Sequence, residues 1–153
     1  MKPIVLCLLI AGVALRAGDA PGFHFWKSNE LKAFSKTLAP KVNQTHVASQ
    51  ALSGFGNYSF MVAHRDGPGE AEYHATQADV FFVQSGEGTL VYGGAMVDGK
   101  TTAPNEMRGP AIGGGMEKKI GAGDVVTIPA KMPHQVKVDA GKEITYFVVK
   151  ITQ

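Results

Sequence analysis

The stretch Gly123-Asp124-Val125-Val126-Thr127-Ile128-Pro129-Ala130-Lys131-Met132-Pro133-His134, read together with Glu72-Tyr73-His74 and Asp79 earlier in the chain, decides the fold. In both places an ionisable side chain sits on a segment that otherwise reads as a buried β-strand, and a buried polar group must find a partner. Glu72 and His74 are two apart, so on a strand they point to the same face. Asp79 begins the next strand of a tight hairpin, and His134 follows a turn bounded by prolines. Two histidines and two carboxylates so spaced are the ingredients of a metal site. Two carboxylates inside a barrel would repel each other and be partly protonated; a bound cation removes that cost.

Working outward, Gly and Pro punctuate short β-rich runs. Strands are expected over Thr45 to Leu52, Tyr58 to Arg65, Ala71 to His74, Asp79 to Gln84, Thr89 to Tyr92, Met116 to Ile120, Asp124 to Ile128, His134 to Val138 and Ile144 to Thr152. Asp79-Val80-Phe81-Phe82-Val83 and Val125-Val126-Thr127-Ile128 lack polar alternation and read as strands buried on both faces. Residues 93–115 are glycine-rich and read as irregular. One helix is expected over Ser28 to Leu38, with Ser28 as N-cap, Leu31, Phe34 and Leu38 at helical spacing, and Pro40 as the stop. Phe23, Phe25 and Trp26 precede it and should pack on the body of the fold. So many short strands with one helix imply a β-sandwich or barrel, and no internal repeat is visible.

Both motif stretches and the segment between them, about residues 67–138, resemble the cupin superfamily. Gly67, Glu72, His74, Asp79 and Gly86 stand at the positions of the first cupin motif, with Glu72 at its first histidine and Asp79 at its glutamate. Gly123, Pro129 and His134 match the second. The resemblance implies an all-β double-stranded β-helix, a jelly-roll-like barrel with one short N-terminal helix. It also implies one divalent metal ion at the barrel mouth, held by Glu72, His74, Asp79 and His134. This oxygen-rich donor set turns the preference toward manganese, iron(II) or zinc. If Asp79 acts through water instead, Glu72, His74 and His134 remain as a two-histidine, one-carboxylate face with positions open to substrate or dioxygen. The barrel interior around the ion should be lined by residues such as Phe81, Val83, Val126 and Ile128.

The chain start reads as an export signal over residues 1–20. Lys2 is followed by an apolar run from Ile4 to Leu15 and by small residues at Gly18-Asp19-Ala20, with cleavage expected after Ala20 and Ala17 as the alternative. The apolar run falls short of the roughly 20 residues of a membrane span. Removal of 20 of the 153 residues leaves 133 for one domain, residues 21–153. It also takes away Cys7, so the mature protein is thiol-free, as suits a secreted or periplasmic protein. Loss of Lys2, Arg16 and Asp19 from 15 basic and 13 acidic residues leaves 13 and 12. With no basic run, nothing points to nucleic acid, and no membrane association is expected after cleavage. Asn43-Gln44-Thr45 and Asn57-Tyr58-Ser59 fit the glycosylation triplet, a pattern short enough to recur by chance.

Several further residues need a reading. His24 is expected at the surface, and His46 and His64 as ordinary polar residues rather than pocket residues. Lys150, amid Tyr146-Phe147-Val148-Val149 and Ile151, is expected to pack its stem and send its ammonium to solvent; pointing inward toward an anionic substrate is the alternative. Gly113-Gly114-Gly115 is no phosphate loop but a rim loop where Arg108 would meet a ligand. Cupins with such sites include dioxygenases, isomerases, epimerases and lyases, and fold alone does not choose among them. The two-histidine, one-carboxylate face favours dioxygenase-type oxidoreductase chemistry on a small organic molecule. Glu72 and Asp79 are the candidate catalytic carboxylates, since one not engaged by metal would serve as general base. The competing readings are a binding module for a sugar or phenolic compound, an isomerase or lyase, and a storage cupin. Open sheet edges call for pairing or cover, so a homodimer is expected.

Overall fold

A computed structural model describes residues 20–153. The expected export signal, Cys7 included, lies outside the described residues apart from Ala20. Helix α1 (Ser28–Leu38) runs into a 3-10 turn (Ala39–Lys41) and is followed only by strands. These are β1 (Val47–Phe55), β2 (Tyr58–Arg65), β3 (Ala71–His74), β4 (Gln77–Tyr92), β5 (Ala95–Val97) and β6 (Lys100–Ala103). Then come β7 (Glu106–Gly109), β8 (Ala111–Gly113), β9 (Met116–Gly121), β10 (Val125–Ile128), β11 (His134–Lys137) and β12 (Ile144–Thr152). Every ladder is antiparallel. Among the described residues no helix is long and apolar enough to cross a membrane.

The sheet curls into two facing layers because one strand belongs to both. The first half of β4 pairs with β12 on one side and β10 on the other, in the layer β1-β2-β12-β4-β10. Its second half pairs with β9 and β11 and continues through β3 and β7 to β6. The Asp79–Gln84 and Thr89–Tyr92 segments, expected as two strands, are therefore one. The chain crosses between layers at Gly86, where φ is +75° and a Cβ would collide with the Glu143 carbonyl oxygen. Only glycine fits both demands.

The inner faces of the two layers enclose one core: Phe81, Val83, Leu90, Ile128, Val136 and Tyr146 are buried in it, with Val126 packed against them. The outer face of the first layer carries a second core, where Leu31, Phe34 and Leu38 of α1 meet Val62 and Phe147. β12 is thus apolar on both faces, and its residues Ile144 to Val148 are all buried.

Four expectations change. The N-cap of α1 is Lys27 rather than Ser28; its backbone N–H donates to Glu30 Oε2 at 3.1 Å. Trp26 packs edge-on against Phe60, whereas Phe23 and Phe25 are exposed. β10 alternates instead of being buried on both faces, with Val125 59% exposed; among the described residues β4 is its one strand partner. Phe82 in β4 is likewise part-exposed. Residues 93–115 contain four short strands, β5 to β8; their glycines and prolines lie at the turns between them or, like Gly109 and Gly113, at strand ends, and mask a β-pattern of three or four residues per strand.

Candidate metal centre

The site forms because cross-strand register lines up polar residues on the inner face of the second layer. In β3, Glu72 and His74 share that face. His134 of β11 stands opposite Glu72 on one side; on the other, Arg108 of β7 stands opposite Glu72 and Glu106 opposite His74. The facing layer contributes Asp79 of β4, directly opposite Lys150 of β12. The loop before β11 fixes the position of His134. Lys131 adopts φ +67° and donates its N–H to the His74 carbonyl at 2.8 Å, and the Pro133 carbonyl accepts from Gly93 N–H at 2.9 Å.

Glu72, His74 and His134 each offer one donor atom, and the three atoms lie within 4.8 Å of one another, so this cluster could hold a metal ion. His74 Nε2 is 3.7 Å and His134 Nε2 4.0 Å from Glu72 Oε2. Asp79 Oδ2 also approaches, at 3.3 Å from His74 Nε2 and 3.6 Å from His134 Nε2. Its carboxylate is nonetheless engaged elsewhere: Lys150 Nζ donates to Oδ1 at 2.9 Å and Oδ2 at 3.0 Å. The sequence leaves open whether Asp79 binds directly or stands behind the shell, and its tie to Lys150 favours standing behind.

Partner chemistry fixes both imidazoles. The Met132 carbonyl can only accept, so His134 Nδ1 donates to it, at 3.1 Å, and Nε2 keeps a lone pair. That Nε2 is buried and has no hydrogen-bond partner among the described residues. An ammonium can only donate, so His74 Nε2 accepts from Lys150 Nζ at 3.1 Å and Nδ1 carries the proton, donated to Glu106 Oε2 at 2.6 Å. Both rings thus hold a proton outward on Nδ1, the arrangement in which a carboxylate or carbonyl orients a metal-binding histidine; the inward lone pair is free on His134 and taken by Lys150 on His74. The orphaned His134 Nε2 and the converging carboxylates fit a divalent cation.

Protein cations already balance the acids. Arg65, buried, donates from Nε to Tyr146 Oη at 2.8 Å and from Nη2 to Glu72 Oε1 at 2.7 Å. Burial opposes ionisation of Glu72, but Arg65 and then Arg108 outweigh it, holding the carboxyl below its ordinary range. Burial likewise opposes ionisation of Asp79; its polar neighbours His134, His74 and Lys150 leave that carboxyl well below the usual range, and with both Nε2 atoms unprotonated the Lys150 ammonium is the group that donates to it. Lys150 is the fixed positive charge among these. Burial also pushes the Tyr146 phenol up, against the pull of Arg65.

The four residues expected from the sequence thus converge. Lys150 takes the alternative orientation, inward rather than to solvent, because its inward row on β12 (Tyr146, Val148, Lys150) lines the cavity. Sequence reasoning does not find Glu106 and Arg65; they become visible only once β7 and β2 are set in register. His64 is wholly buried, 2.8 Å from Thr145 Oγ1, and lines no part of this cavity. His46 pairs with Asp66 at 3.0 Å, and His24 stacks on Trp26. Glu72, Asp79, Arg108 and Lys150 border a cavity of about 250 Å³ whose apolar side is Met61, Phe81 and Val148.

No family model matches the sequence, and no curated protein matches it. Solved structures do resemble its fold. TT1209 from Thermus thermophilus superposes with TM-score 0.54 and 16% identity over 76% of this chain and 92% of its own. Pac13 from Streptomyces, described as a nucleoside dehydratase, gives 0.52 and 9% over 72% of each chain. A cupin 2 conserved barrel domain protein from Rhodopseudomonas palustris gives 0.50 and 18%, over 70% of this chain and 61% of that one. The DMSP lyase DddQ from Ruegeria pomeroyi also matches at 0.50 and 16% over 71% of this chain, which spans 48% of its length. With the two motif stretches meeting across the barrel as described, this likeness gives the chain the cupin fold.

Proposed function

We propose that this protein is an exported metalloenzyme that binds one divalent ion, manganese, iron or zinc, through Glu72, His74 and His134 and acts on a small organic molecule in the adjoining cavity. The observation carrying this reading is the buried His134 Nε2, which has no partner among the described residues and lies within 4.8 Å of donor atoms of His74 and Glu72; Lys150 would release His74 Nε2 to the ion. Such an ion supplies a Lewis acid and, if redox-active, a site for dioxygen. The chain's own residues do the rest. Glu106 and the Met132 carbonyl hold the rings in one tautomer. Arg65 holds Glu72 ionised, which suits a ligand better than a general base. Phe81, Val148 and Met61 give the cavity an apolar side.

With Asp79 tied to Lys150, the remaining two-histidine, one-carboxylate face favours dioxygenase-type oxidoreductase chemistry. One observation supports a second reading, an isomerase or lyase: the Lys150 ammonium bridges Asp79 and His74 at the cavity wall, a place from which a proton could be exchanged with substrate. Export and a homodimer belong to the same proposal, the latter supported by β1 having, among the described residues, a strand partner on one side only. N-terminal sequencing and light scattering test these two points; an intact Met1 or a monomeric mass counts against them.

Elemental analysis of the purified protein tests the main claim. About one divalent ion per chain is expected, and the His134→Ala variant should lose it; a full complement in that variant refutes the assignment. Turnover of phenolic or diketone substrates that persists without oxygen excludes the dioxygenase form.

A further inference from the structure

Arg65 is committed to Glu72 and Tyr146, and Lys150 to Asp79 and His74. Arg108 is different. Its nearest carboxylate oxygens are at 3.5 Å on Glu106 and 3.7 Å on Glu72, beyond good hydrogen-bond length. Among the described residues its one side-chain hydrogen bond, from Nη1 at 3.3 Å, goes to the carbonyl of its neighbour Met107. A guanidinium has five N–H donors, so most of them are unused. Directly across the ladder from Arg108 stands Lys100 of β6. Residues opposite each other point to the same face, and like charges so placed destabilise a sheet. Among the described residues Lys100 makes no ion pair, although Glu70 and Asp98 border the same groove.

These two cations stand where two spaces meet. Thr45, Glu70 and Arg108 border both the inner cavity and an outer groove of about 500 Å³ that also includes Lys100 and Thr102. Resting on the reading that this cavity is the substrate site, we propose that the substrate is a small organic carboxylate. Its carboxylate lies on Arg108 with Lys100 beside it, and its apolar body extends over Met61, Phe81 and Val148. A bidentate guanidinium–carboxylate pair would use the idle donors and relieve the Arg108–Lys100 repulsion. The incoming charge also meets Glu72, but Arg65 on Oε1 and a cation on the Oε2 side offset it. At about 250 Å³ the inner cavity is below the roughly 300–1,000 Å³ of ordinary ligand pockets, so the molecule is small.

The test is calorimetric titration of the protein as isolated with butyrate, hexanoate and benzoate, each against its primary amide, and with phenyl phosphate, metal content being measured in parallel. At least one acid is expected to bind about tenfold or more tightly than its amide, as loss of a charge-assisted hydrogen-bonded pair implies. The Arg108→Gln variant should lose most of that preference and Lys100→Gln part of it, with metal content unchanged in both. Equal affinity for acids and amides, no binding of any acid, tighter binding of phenyl phosphate than of benzoate, or an acid preference kept in Arg108→Gln each overturns the proposal. If Arg108→Gln does not fold, the exposed Lys100→Gln decides. Loss of metal from the unmutated protein would instead strike the reading on which the proposal rests.

Discussion

Lys150 is the residue whose environment has the sharpest consequences. Its ammonium holds both oxygens of Asp79, a carboxylate only 2% exposed, and also touches the imidazole that Glu72 and His134 face. In metal-stripped protein the Lys150→Met variant leaves Asp79 as a buried charge without its fixed partner, and is expected to be less stable by about 3–5 kcal/mol. Added divalent metal should then raise its melting temperature more than that of the unmutated protein, and an equal rise in both would contradict this account. pH acts on the same groups. Glu72 and Asp79 have folded pKa values below their unfolded ones, so their pairing adds stability above the unfolded carboxylate range of about 3.9–4.3 and loses it as pH falls through the lower folded values. The urea midpoint should therefore hold from neutrality to about pH 4 and drop below it. The gap between the unmutated protein and Asp79→Asn should narrow over the same range, and a gap independent of pH would count against the assignment.

At the scale of elements, β4 turns on Gly86. Gly86→Ala meets both a positive φ and the Glu143 carbonyl, whereas Gly123→Ala meets a positive φ of +94° with open space around it. Urea unfolding should find the first costing about 3 kcal/mol or more and the second about 1 kcal/mol; equal costs would mean the crossing is not constrained as described. The same element marks what can be read from the sequence. Glu72, His74 and His134 are legible because spacing of two and a proline-bounded turn are local signals. Asp79 is legible by position but not by role, since its partner on β12 is far away in sequence. Glu106 and Arg65 depend on register with distant strands, which one sequence does not encode visibly. Val125 misleads because a valine favours a strand whether its face is covered or bare.

Across the whole molecule, two cores share the first layer. Leu38 is 1% exposed in the outer one, between α1 and the sheet, on the side away from the cavity. Leu38→Ala should cost about 2–5 kcal/mol through lost burial and the void left behind. It should leave metal stoichiometry unaltered, and an ion lost along with stability would show that the two cores do not act separately. The barrel expected from punctuated short strands is present; of the four strands within residues 93–115, β7 adds the side of the cavity that carries Arg108. Because Gln77–Tyr92 runs unbroken through both layers, a single peptide segment acts as a ruler for the space between them. Along that side the two walls are joined by covalent backbone and not by hydrogen bonds alone, so changing their separation there would require rebending the strand at Gly86.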